Sequence, residues 1–137
     1  MKNILVGYDG SLTAQRAFLF ALELARCSGG HVRVVSVLQI TDGGADTAAL
    51  MMADVGAQRL GDLMAELKQL APDADKLIDL EMIPGNPGDV LLRQVKQYAI
   101  DHIVIGHTER GALARWLLGS VSTDLFANTR IPVTVVP

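Results

Sequence analysis

Two stretches of this 137-residue chain hold residues with an evident chemical use. The first is Gly7-Tyr8-Asp9-Gly10-Ser11, which follows an apolar run at 4–6. A carboxylate just past a strand stands at the carboxyl edge of the sheet, where open α/β folds bind ligands. The plainer reading of Asp9 is a helix cap, and on these five residues alone the two readings weigh equally. The second stretch runs from Gly106-His107 to Gly119-Ser120-Val121-Ser122. It exceeds the roughly 2–6 residues usual between strand and helix, and long loops of this kind in compact domains are commonly functional. Gly106 would let a ligand approach the strand end. Gly119 and Ser120 would open a last helix whose free N–H groups and positive dipole end suit phosphate oxygens. Ser120 and Ser122 add hydroxyl donors. Taken alone, the Gly-Ser pair reads as an ordinary helix entry.

Fast catalysis has little to work with. The sequence shows no Ser–His–Asp order with a nucleophile elbow, no paired carboxylates with an evident cleft and no Gly-Lys-Ser/Thr phosphate loop. The turn at 7–13 lacks the Gly-x-Gly-x-x-Gly dinucleotide fingerprint, and no lysine ends the last strand as a phospho-receiver domain would require. His31 and His102 each enter a predicted strand without a second ligand at metal-binding spacing, and both read as structural or surface residues. Cys27, the single cysteine, excludes an internal disulfide and fits a reducing compartment. Its expected place is a small buried side chain on the first helix. Trp116 is expected to anchor the long loop on apolar surface.

The elements that must position these residues follow from the apolar pattern. Half the residues are hydrophobic, 20% are charged and only 4% are aromatic, so a core must be assembled from Val, Leu, Ile, Ala and Met. The length suits one domain, 1–137. A net charge of −3 gives no global attraction to nucleic acid or to an anionic membrane. The apolar run at 4–6 is too short for a signal peptide, no segment approaches the ~20 apolar residues of a membrane span, and the cytoplasm is the expected compartment.

Short β-branched runs at 4–6, 32–38, 77–83, 102–105 and 133–136 predict strands. Ala14, Ala17, Phe18, Ala21 and Ala25 make one helical stripe, capped by Ser11 or Asp9 and stopped by Gly29-Gly30. A second helix is expected over 46–70 from Leu60, Leu63, Met64, Leu67 and Leu70. A third is opened by Asn86, Pro87 and Asp89, with Leu91, Val95 and Tyr98 facing the sheet. Strands alternating with helices imply parallel pairing and a doubly wound α/β sandwich with helices on both faces.

Over nearly its whole length the chain resembles the universal stress protein family. The matching landmarks are the Ile4-Leu5-Val6-Gly7-Tyr8-Asp9-Gly10-Ser11 run, Gly85-Asn86-Pro87, Ile103-Val104-Ile105-Gly106-His107, Leu117-Leu118-Gly119-Ser120-Val121-Ser122 and the closing Ile131-Pro132-Val133-Thr134-Val135-Val136. The resemblance implies an adenine-nucleotide alpha-hydrolase-like fold with strand order 3-2-1-4-5. It also implies a homodimer, joined here through the apolar strand at 131–136, and ATP, with Mg²⁺ or Mn²⁺, where strands one and four diverge. By position it assigns Asp9 and the Val37 backbone to the adenine end, and Ile105 and Gly106 to the ribose end. Gly119, Ser120, Val121 and Ser122 fall at the phosphate end, with His107 beside them. The family's ATP pattern is glycine, two residues, glycine, nine residues, then glycine and a small hydroxyl residue. Counting back from Gly119 places Glu109 where the middle glycine belongs. A carboxylate there repels phosphates. The sequence therefore carries two readings, a nucleotide-binding signalling domain and a dimeric interaction protein that binds no nucleotide.

Overall fold

The computed structural model describes residues 2–38, 55–106 and 131–137. Strand β1 (Asn3–Gly7) leads through α1 (Leu12–Ser28) to β2 (His31–Leu38). After residues 39–54 come α2 (Ala57–Leu70), β3 (Ile78–Pro84), α3 (Pro87–Gln97), β4 (His102–Gly106) and β5 (Val133–Val136). Every strand pair is parallel, and the order is β3-β2-β1-β4-β5.

The sheet is buried on both faces, which is why its central strands read as apolar runs rather than alternating ones. Ile4, Val6, Val32, Val34 and Val104 meet α1 and α2 on one face. Leu5, Val35, Ile103 and Ile105 meet Val90, Leu91 and Val95 of α3 on the other. Helix α1 buries the predicted stripe together with Leu22. Its cap is Ser11, whose Oγ accepts from Ala14 N at 3.2 Å, and Gly29 ends it at φ 69° with its N–H bonded to the Ala25 carbonyl. Helix α3 opens as expected, with Asn86 Oδ1 accepting from Gly88 N at 3.0 Å.

One expectation is corrected, that of Cys27, and two further side chains sit at the margin of the core. Leu63 and Leu67 are buried in α2, but Met64 is 57% exposed, because α2 covers the outer margin of the sheet and buries only a narrow strip. Tyr98 faces the sheet as expected, at its margin: it ends α3 partly exposed, with its ring under the guanidinium of Arg33 of β2, Cζ lying 3.6 Å from the centroid. Cys27 is exposed, since it lies about 200° around the helix from the buried Ala25. The part of the second predicted helix at 46–54 lies outside the described residues.

Candidate functional site

Strand order reverses direction between β1 and β4, and the ends of these strands are where a doubly wound sheet opens a crevice. Four of the predicted site residues are described, and all four stand at this edge. Asp9 follows β1, Val37 lies near the end of β2, and Ile105 and Gly106 close β4. His107, Gly119, Ser120, Val121 and Ser122, and with them Glu109, lie outside the described residues.

Asp9 is not the cap of α1. Its Oδ1 accepts from Ser11 N at 2.9 Å, a local turn that presents Ser11 to cap the helix, with Gly10 at φ 82° between them. Arg59 of α2 reaches across to the Asp9 carbonyl at 3.2 Å. The second carboxylate oxygen has no hydrogen-bond partner among the described residues.

Val37 is placed by strand length. Register between β1 and β2 ends at Gly7 opposite Val35, and the Val35 carbonyl accepts from Tyr8 N at 2.9 Å. Alternation turns the Val37 backbone to the same side, past the last paired residue of β1. Its N–H and C=O therefore face the crevice rather than a strand.

Gly106 has a use inside the fold. Its small size is taken up by the fold itself: a Cβ there would stand 2.5 Å from the carbonyl carbon of Thr13, 2.6 Å from its oxygen and 2.8 Å from Ala14 N. The first turn of α1 stands against Gly106 in the direction a side chain would take, so the packing of α1 on β4 itself requires a glycine there.

Sequence reasoning missed the polar groups that brace the sheet. Tyr8 is 2% exposed, and its hydroxyl donates to Glu66 Oε1, which also accepts from Gln15 Nε2 at 2.8 Å. Burial, reinforced by the bond to Glu66 and its charge, pushes the Tyr8 hydroxyl well above its usual range, so it stays protonated. The carboxylate thus ties α2 to β1 and α1 beneath Asp9. On the opposite face Arg33, 9% exposed, bonds Gln94 Oε1 through Nε at 2.5 Å and pairs with Glu81 through Nη2. A charge inside the Val32–Val35 run was the available signal.

Among the described residues no group of three or more His, Cys, Asp or Glu side chains is arranged to hold a metal, and no helix is long and apolar enough to cross a membrane.

The model of the universal stress protein family matches residues 1–137. The chain belongs to the universal stress protein family. Its relatives include the stress response protein NhaX of Bacillus subtilis, 23% identical over 98% of this chain and 96% of that protein. A universal stress protein of Methanocaldococcus jannaschii is 26% identical over 98% of this chain and 81% of its own length. Among solved structures, the universal stress protein UspA of Lactobacillus plantarum superposes with a TM-score of 0.75 at 25% identity, covering 99% of this chain and 97% of the other. A universal stress protein in complex with cAMP gives 0.72 at 24% identity over 99% and 97%. One from Archaeoglobus fulgidus in complex with dAMP gives 0.63 at 22% over 100% and 98%. The expected sheet order and the universal stress protein fold are both found.

Proposed function

We propose that this universal stress protein domain is a cytoplasmic stress-response module that binds an adenine nucleotide at the β1–β4 crevice and works as a homodimer. The observation that carries the reading is the convergence of Asp9, the open Val37 backbone and the β4 terminus on one edge of the sheet. A carboxylate oxygen and main-chain groups with no hydrogen-bond partner among the described residues suit the donors and acceptors of an adenine ring and ribose. Two proteins of the same fold in complex with cAMP and with dAMP support that ligand class. In this reading Gly119, Ser120, Val121 and Ser122 take the phosphates, with His107 beside them. ATP is the proposed full ligand, and a Mg²⁺ or Mn²⁺ ion would be carried on its phosphates. The module binds rather than turns over substrate.

Ser120→Asp places a negative charge where the phosphates belong. The affinity for ATP should fall at least tenfold, about 1.4 kcal/mol, in a calorimetric titration. An unchanged constant means that the phosphates lie elsewhere. Glu109 favours the second reading, a dimeric interaction protein without nucleotide, because it stands in the glycine position of the ATP pattern.

The proposed dimer seam is β5, an edge strand of four residues paired to β4, with Val135 43% exposed. An open apolar edge invites pairing with a second copy, and a lysine on it is how natural sheets block that pairing. Val135→Lys should therefore shift the protein from dimer to monomer in sedimentation at micromolar concentration. A wild type that is already monomeric there contradicts the seam.

A further inference from the structure

The binding edge makes no use of His102, at the opposite end of the sheet. This residue is 6% exposed and opens β4, directly opposite Ile4 of β1. Alternation along β4 puts it on the α1 face with Val104, and Thr134 of β5, which pairs with Val104, shares that face. There the His102 Nε2 and the Thr134 Oγ1 are 2.7 Å apart. The contact ties the outermost strand to its neighbour by a side-chain bond in addition to the backbone ladder. The other ring nitrogen, Nδ1, is buried without a hydrogen-bond partner among the described residues.

We infer that His102 is a proton-operated latch on β5: neutral, it holds the edge strand to the sheet through Thr134, and protonated, it releases that strand. Neutral imidazole needs one donor and one acceptor role, and a hydroxyl can serve either. The imidazolium has two N–H donors, of which only the one at Nε2 meets an acceptor among the described residues, and its charge is then buried against a strand of four residues. Opening β5 admits water to the ring, and a four-residue strand at the edge of the sheet can open locally without unfolding the rest.

The surroundings favour the neutral form. Burial lowers the imidazole below its usual 6.5, against the pull of the Asp101 carboxylate and with a smaller push from the positive amino terminus. Asp101 is engaged through one oxygen, Oδ2 accepting from the backbone N–H groups of Lys2 at 2.9 Å and Asn3 at 3.2 Å, while its buried Oδ1 has no hydrogen-bond partner among the described residues. Among the described residues the other elements bring no charge to it: β1 presents Ile4, β5 presents Thr134, and the buried residues of α1 are alanines, Phe18 and Leu22. Because the folded form resists protonation, the unfolded or opened form binds more protons as pH falls. Stability of the closed edge is complete above about 6.5. It is lost progressively between there and the lower folded value.

Nuclear magnetic resonance of the full chain tests this by following the His102 ring and the exchange protection of the Thr134, Val135 and Val136 amides from pH 7.5 to 5. Protection of β5 should fall at least tenfold as His102 titrates, while that of β3, the other edge, stays level. His102→Gln keeps a hydrogen-bonding side chain without the titration and should hold β5 protection flat. Should that variant fail to fold, Thr134→Val cuts the tie with His102 in place, and β5 should then be weakly protected already at pH 7.5. Constant β5 protection while the wild-type ring titrates, or equal loss at β3 and β5, overturns the latch. The consequence for assembly rests on the homodimer reading above. Dimer at pH 7.5 and monomer at pH 5.5 in sedimentation follows if both hold, whereas monomer at both values removes the seam alone and leaves the exchange result to judge the latch.

Discussion

Gly106→Ala should destabilise the protein by about 3 kcal/mol or more, the upper end of what overpacking a core costs. The new methyl group would stand 2.5 to 2.8 Å from the backbone of Thr13 and Ala14, and backbone has no rotamer by which to move aside. Helix α1 must lift, and with it go the Ser11 cap and the contacts of Ala14 and Ala17, both fully or nearly fully buried. In a domain of this size such a loss lowers the melting temperature by roughly 10 °C. Gly61→Ala supplies the contrast within the same measurement. Gly61 lies inside α2 with open space around its Cβ position, so alanine there should stabilise by about 0.5–1 kcal/mol. Urea unfolding of both variants reads the pair of signs. A Gly106→Ala protein within ~0.5 kcal/mol of wild type, the range of an indifferent surface change, contradicts the close approach of α1 to β4.

Arg33→Met should cost about 2–3 kcal/mol, below the full range for breaking a buried ion pair. Methionine keeps most of the stem volume, so the loss lies in the polar contacts and in the stacking on Tyr98. Burial decides which contact matters. The Glu81 side chain is 48% exposed and turns to water when its partner goes, whereas Gln94 is 5% exposed and its amide oxygen is left unsatisfied. A second substitution, Gln94→Leu, should therefore recover much of the loss in the Arg33→Met background, and Glu81→Leu should recover little. Chemical denaturation of the double variants distinguishes these outcomes. Recovery through Glu81 instead would mean that the ion pair, not the buried amide bond, carries the cluster.

The sheet was legible because its signals are local and repeated. Ile4, Val6, Val32, Val34 and Val104 had to be strand residues with both neighbours buried, and the alanine stripe of α1 allowed one orientation. Gly29, Asn86 and Pro87 marked helix ends by backbone chemistry that tertiary packing seldom overrides. What could not be read depended on distance across the fold. Gly106 was correctly singled out, yet the reason for it is a helix 93 residues earlier, which no local pattern encodes. Tyr8 stood in the recognised motif, while its partner Glu66 sits in α2 among exposed charges and looked like any solvated residue. Cys27 was misplaced because an apolar side chain was taken for a buried one, and Met64 is exposed because a helix over the margin of a sheet has room for only a narrow buried strip. The competition between Asp9 and Ser11 for the cap required the actual turn geometry.

The central claim is that the crevice between β1 and β4 is a seat for an adenine nucleotide, and calorimetric titration of the wild-type protein tests it most directly. ATP, ADP, AMP and cAMP should be titrated with and without Mg²⁺ or Mn²⁺, against GTP as a matched ligand lacking the adenine ring. The account predicts saturable one-to-one binding of at least one adenine nucleotide and markedly weaker binding of GTP, since Asp9 and the Val37 backbone are the groups proposed to meet the base rather than the phosphates. The absence of heat from all four adenine nucleotides at millimolar concentration contradicts it, and would leave this domain as the dimeric interaction protein that Glu109 suggests.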